Sequence, residues 1–260
     1  MPTRKPISPA ERRYHDYLRR RTLRAGAVYE MRLIKARRKE LRRVLAKARD
    51  LGDPEDIAPL LEAELSEAGY LGEWWTGLWA EVGVPAARST ARTLRQAKAA
   101  GEDDIWLGTL RNYATQRAGQ EITVVTGTWK NSLVSLLRGY MEDELIQGVE
   151  KLTKRLYNDY TGLLEKWQCR RIAQTESMIG MADAGAMAAQ TLDIAFTKQW
   201  AISGLGNTRE SHEAMDGIIV DQDEPFVLPG GLMMYPHDTS MGASAGEIIN
   251  CACDVIRIPK

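Results

Sequence analysis

The sequence predicts an α+β protein: a mainly helical N-terminal region followed by a small α+β C-terminal domain with short strands. Three observations predict it. Up to Thr191, apolar residues recur at spacings near three and four, the helical period. Beyond Thr191 the apolar runs shorten, begin to alternate and are separated by Gly, Pro and Asp turns. Charge divides along the same line. Residues 1–50 carry 17 Lys/Arg against 5 Asp/Glu, whereas residues 170–260 carry 6 against 12, so a formal net charge of zero conceals a basic head and an acidic tail. The expected organisation is a basic helical arm at 1–50, a helical region at 51–160 and a C-terminal domain at 161–260.

Taken in order, Ser8-Pro9-Ala10-Glu11 reads as a helix start, with Ser8 as cap, Pro9 at the first helical position and Glu11 completing a capping box. Tyr14, Leu18, Leu23, Val28, Ile34, Leu41 and Leu45 then repeat at helical spacing. This suits one helix of about 40 residues, roughly 60 Å long, which Gly26 either kinks or splits. Asp50 to Pro54 breaks it. A second helix starts at Asp53-Pro54-Glu55 and runs to about Ala68. A short aromatic helix carries Trp74, Trp75 and Trp79. Pro85 precedes another helix, from about Ala86 to Ala100, and Gly101 to Asp104 is a loop and cap. Helical stretches follow at Asp104–Ala118, Thr128–Leu137 and Glu142–Tyr157, and the β-branched Ile122-Thr123-Val124-Val125 suits extended chain. Glu165 to Gln190 reads as one helix. Trp167, Ile172, Met178, Ile179, Met181 and Met187 are its candidate buried face, and its Ala and Gly residues allow close packing. Then come a strand at Ile194–Ile202, a turn at Gly204–Asn207, a single helical turn at Ser211–Met215, and short strands at Ile218–Val220, Pro225–Leu228 and Asp254–Ile258.

The 260 residues suffice for one large or two modest domains, and 44% hydrophobic content suffices for a core. Three cysteines, one isolated and two in a C-x-C pair, do not make a disulfide framework. A reducing compartment fits them best. The charged N-terminus is followed by no apolar stretch of the secretory kind, and no run reaches the length of a membrane span. The expected setting is a cytoplasm.

The last third strings together Gln174-Thr175-Glu176, Lys198-x-Trp200, Thr208-Arg209-x-Ser211-His212-x-x-x-Asp216-Gly217, Glu224-Pro225-Phe226, Tyr235-Pro236 with Asp238, and Ala245-Gly246-Glu247-x-x-Asn250-Cys251-x-Cys253. In order and spacing, residues 142–258 resemble the C-terminal domain of the phage minor head proteins, the Mu protein F-like head morphogenesis family. Gln174 and Ala252 stand where that family usually has arginine. The resemblance implies a structural virion protein rather than an enzyme, present in few copies near the portal vertex. It also implies portal protein, major capsid protein and packaged double-stranded DNA as partners, with no membrane and no small-molecule substrate. The implied location is the phage head, with the host cytoplasm as the site of assembly. Arg209, Asp216, Gly217 and Asn250 are expected to hold the C-terminal module together.

Two residue sets carry chemistry of their own. His212, His237, Cys251 and Cys253 are two imidazoles and two thiols, a donor set that matches tetrahedral zinc. The alternative is a buried cysteine pair packed against a histidine-containing turn. If the set were catalytic, the function would be that of a metal-dependent nuclease or hydrolase, with Glu210 or Glu213 as base. The second set is basic: Arg19, Arg20, Arg21, Arg37, Arg38, Lys39, Arg42 and Arg43. Their density suits salt-sensitive, sequence-independent binding to DNA phosphates or docking on an acidic protein surface. Gly242-Ala243-Ser244-Ala245-Gly246 spells G-x-S-x-G, but a polar loop precedes it and no histidine follows, so it is not a nucleophile elbow. The three tryptophans read as core, with an interface anchor as the alternative.

Overall fold

The computed structural model describes the backbone at residues 2–66, 68–95, 103–143, 148–192, 194–203 and 208–260, without the side chains at 68, 95, 103–107, 117–123 and 163–164. The expected turn at 204–207, Gly101-Glu102 and part of the expected 142–157 helix fall outside the described residues. The helices are α1 (Pro9–Ala48), α2 (Ile57–Glu64), α3 (Ala68–Arg95), α4 (Asp103–Met141), α5 (Val149–Asp159), α6 (Glu165–Thr191), α7 (Glu210–Glu213) and α8 (Ala245–Ile248). The strands are β1 (Thr3–Arg4), β2 (Phe196–Ala201), β3 (Ile218–Asp221), β4 (Phe226–Leu228), β5 (Gly231–Met233) and β6 (Asp254–Pro259). The α+β class holds. The chain forms two compact units, one from residues 1–27, 77–114 and 173–260, the other from 28–76 and 115–172.

The first unit holds the sheet. Its four antiparallel strands run in the order β1-β3-β2-β6, and β4 pairs with β5 in a separate hairpin. β2 is the strand that the alternation from Ile194 onward predicts, but it is central and nearly all buried rather than wet on one face. Beside it lies a core of Met178, Met181, Ala184, Ala188 and Ala189 from α6 with Ala86, Ala87, Ala91, Leu94, Leu110 and Phe196. The small residues of α6 permit close approach. A Cβ at Gly180 would sit 3.1 Å from the Trp79 ring. Gly26 serves α1 the same way, because a Cβ there would meet the Ser177 Oγ at 2.6 Å. Gly26 therefore does not split α1 in two; one helix runs through it.

The second unit is helical. Leu41, Val44 and Leu45 of α1, Ile57 and Leu61 of α2, Trp129, Leu133 and Leu137 of α4, and Leu152 and Leu156 of α5 form its core with Tyr160. The buried Arg37 guanidinium lies 5.1 Å from the centre of the Trp129 ring, a cation–π contact that offsets part of its desolvation. Trp74 donates from its indole to the Tyr29 carbonyl at 2.8 Å.

Three sequence expectations are corrected. The aromatic helix and the one after Pro85 are a single helix, α3, with Pro85 inside it. The carbonyl that Pro85 leaves without its helical donor belongs to Glu81, an exposed residue. Residues 122–125 are not extended but lie within α4, with Val124 63% exposed, since a short run of β-branched residues is only a weak local preference. Trp167, expected on the buried face of α6, is 55% exposed, with the Arg171 guanidinium 4.2 Å from its ring centre. Of the three clustered tryptophans, Trp74, Trp75 and Trp79 are all buried, so they are core.

Candidate metal centre

The segment after β3 and the hairpin brings distant polar residues of the first unit together. α7 is one turn long. It begins where Arg209 is extended, and its first bonds run from the His212 and Glu213 amides to the Arg209 carbonyl. The Arg209 guanidinium donates to the Ile249 carbonyl, tying α7 to the segment that carries the cysteines. Asn250 turns that segment with a left-handed φ of 57°, a conformation asparagine tolerates better than most residues. Its amide donates to the Thr175 hydroxyl at 3.3 Å.

Three of the four predicted donors then converge. The His212 Nδ1 lies 3.3 Å from the Cys253 Sγ and 3.5 Å from the Cys251 Sγ. The three donor atoms all fall within 4.8 Å of one another, and all three residues are buried. Around tetrahedral zinc, with Zn–S of about 2.3 Å and Zn–N of about 2.0 Å, such donors stand roughly 3.5–3.8 Å apart. The spacing and the donor chemistry both fit.

The fourth, His237, adjoins this group. It is also buried, and its φ of 74° is unusual for a non-glycine residue. Its Nε2 faces the Cys253 carbonyl oxygen at 3.2 Å, while its Nδ1 has no hydrogen-bond partner among the described residues. A buried ring nitrogen without a partner is costly, and a ligand for it would remove that cost.

Sequence reasoning missed Glu247. Its Oε2 accepts from the His212 Nε2 at 2.8 Å and from the Ser211 hydroxyl at 3.2 Å, and its Oε1 accepts from the Gly230 amide at 3.2 Å. A carboxylate holding the far nitrogen of a histidine fixes the tautomer that leaves Nδ1 free to coordinate. Glu247 stood in the Ala-Gly-Glu element before the cysteines, but nothing in the sequence linked it to His212.

The electrostatics match the geometry. A hydrogen bond from the Cys253 thiol holds the Cys251 thiol well below the usual thiol range, against the opposing effect of burial. The same bond, with burial, pushes Cys253 up. Burial pushes the His237 imidazolium down, but the adjacent Cys251 outweighs it and the net direction is upward.

Asp216 and Gly217, also expected to be structural, contact the N-terminal segment of the first unit. The Asp216 carboxylate accepts from Arg12 at 2.8 Å and from the Ile202 amide at 3.0 Å. Gly217 has a φ of +82°, and a Cβ there would meet the Lys5 carbonyl oxygen at 2.7 Å.

The basic residues do not form one surface. Arg19 and Arg37 are buried. Arg19 donates to Asp16 and to the Ala201 carbonyl. Arg38 pairs with Glu165, Arg43 with Glu40 and Glu64, and Arg42 donates to the Tyr157 hydroxyl. Arg20, Arg21 and Lys39 are exposed.

Residues 132–256 match the family model described as phage Mu protein F like protein. The chain is also similar to the NAD(+)–arginine ADP-ribosyltransferase EFV of Enterococcus faecalis (strain ATCC 700802 / V583), with 28% identity over 131 residues. That alignment covers 49% of this chain and 24% of the relative, so the chain spans about a quarter of that protein's length. No solved structure matches.

Proposed function

We propose that this chain, whose residues 132–256 belong to the phage Mu protein F like family, is a structural minor head protein of the portal vertex, contacting portal protein, major capsid protein or packaged double-stranded DNA. The family match carries this reading. The exposed basic residues of α1 support it in a narrower form than the sequence suggested. Of the predicted basic set, Arg20, Arg21, Lys39 and Arg42 are exposed and, among the described residues, free of the carboxylate pairings that hold Arg38 and Arg43. Co-expression of the full chain with the portal protein of the same phage tests it, together with mass spectrometry of purified heads. Stoichiometric co-elution and presence in heads are expected. Absence from heads and no retention by portal protein would overturn the reading.

Within that role the C-terminal module is braced by a metal ion of the zinc class, held by His212, Cys251 and Cys253, with His237 as fourth donor. The ion would cross-link α7, the 249–253 segment and the loop after β5. All four donor residues are at most 5% exposed. Closed sites of this kind are structural, whereas catalytic zinc keeps an open position. The burial therefore supports bracing over a nuclease or hydrolase. Metal analysis of the purified protein beside a Cys251→Ser/Cys253→Ser variant tests this part. About one zinc per chain, lost in the variant, is expected; no metal in either refutes the brace and leaves the head assignment standing.

A further inference from the structure

β2 and β6 pair so that Lys198 stands directly opposite Arg257. Residues directly opposite project from the same face of a sheet, and two like charges in that relation are destabilising. Both side chains are moreover out of water, at 3% and 7% exposure. The Lys198 ammonium has no hydrogen-bond partner among the described residues, and neither cation forms an ion pair there.

The nearby carboxylates are committed elsewhere. Asp238 accepts from the Met234 and Ser240 amides, both at 2.8 Å. Asp221 pairs with Lys260 at 2.7 Å. Asp254 pairs with His15. Asp223 also lines the space before the two cations but is exposed at its rim. That space is a cavity of about 500 Å³ whose lining includes Lys198, Arg257, Gln222, Ser240 and Phe196.

Two buried, adjacent cations with carboxylates nearby but none in ion-pair contact among the described residues are expensive, and a cavity of this size falls in the range of small-ligand sites. We propose that the cavity binds a phosphoryl group, held between the Lys198 ammonium and the Arg257 guanidinium. Two cations balance a phosphate dianion, and guanidinium is the side chain best shaped to bond two of its oxygens. The volume beyond one phosphate accommodates what the phosphoryl group is attached to. The strain on Lys198 agrees: burial, with Arg257 adding to it, pushes its ammonium down to about 8.

The chemistry leaves two sources for the group, a free phosphate ester or a nucleic-acid terminus. The experiment is calorimetric titration of the full-length protein with inorganic phosphate, adenosine monophosphate, and a short duplex with and without 5′-phosphates. Lys198→Met and Arg257→Lys are run in parallel, their folding checked by circular dichroism. Phosphate or the monophosphate should bind and raise the melting temperature, and Lys198→Met should weaken binding at least tenfold. A duplex that binds only when 5′-phosphorylated, again dependently on Lys198, would name the terminus as the source. Binding by none of the probes, or binding equal in wild type and a folded Lys198→Met, overturns the proposal.

Discussion

Replacing Lys198 by methionine should stabilise the protein at pH 7 when no phosphate is present. Methionine keeps the unbranched stem and removes the charge. Burial lowers the Lys198 ammonium from 10.5 to about 8. At about 1.4 kcal/mol per tenfold change in proton equilibrium, that corresponds to about 3 kcal/mol of strain in the charged form. Against it stands the attraction between the ammonium and the Phe226 ring, 5.7 Å from its centre and worth about 0.5–2 kcal/mol. The net gain expected from the variant is about 1–3 kcal/mol. The pH dependence has a definite sign. Below about 8, lysine is charged in both the folded and the unfolded chain, and the full cost is present. Between about 8 and 10.5 the unfolded chain binds more protons than the folded one, so the wild type gains stability with rising pH. The variant lacks this gain, and other titrating groups largely cancel in the difference. Urea unfolding in phosphate-free buffer, from pH 7 to 10, measures the gap. It should favour the variant at pH 7 and close towards pH 10. A variant less stable than wild type at pH 7, or a gap indifferent to pH, refutes the idea that Lys198 is an uncompensated buried charge.

Other perturbations follow from the same structure. Glu247→Gln should weaken metal affinity by about 10–100-fold while leaving all donors in place, readable by competition with a zinc chelator. Gly217→Ala should destabilise the first unit by more than about 1 kcal/mol, since alanine is strained at positive φ. It should also speed amide exchange at Lys5, whose N–H bonds to the Gly217 carbonyl; unchanged exchange there would count against the contact. Trp129→Ala should cost about 3–5 kcal/mol in the second unit, measured by denaturant unfolding, because the ring is fully buried beside both Tyr160 and the Arg37 guanidinium.

The local features of the fold were legible because they are written in neighbouring residues. The Ser8–Glu11 capping box forms both its bonds, at 3.0 and 3.2 Å, and Asp53 caps the Glu55 amide at 2.9 Å. The convergence of His212, Cys251 and Cys253 was also within reach, since donor type alone nominates them. What stayed hidden depends on long-range register. Glu247 meets His212 across 35 positions, and Lys198 meets Arg257 only through the pairing of β2 with β6. β1 is two residues long, too short for any periodic signal. The basic stripe misled at Arg19 and Arg37 because composition cannot tell an outward arginine from one folded over a tryptophan or onto a carbonyl. Trp167 misled for the opposite reason: its size argues for the interior, while a neighbouring arginine covers it at the surface.

The division of the chain into two units sets an order of events during synthesis. The second unit is complete once residue 172 has been made, and its apolar core can close then. The first unit cannot, because its sheet joins β1, which precedes the second unit in the sequence, to β6, which follows it. Until β6 arrives, one edge of β2 has no partner, and Phe196 and Trp200 lie along that strand. An unpaired edge bearing aromatic residues is a template for association with other chains. A nascent chain halted short of Asp254 would therefore be sticky as well as unfinished.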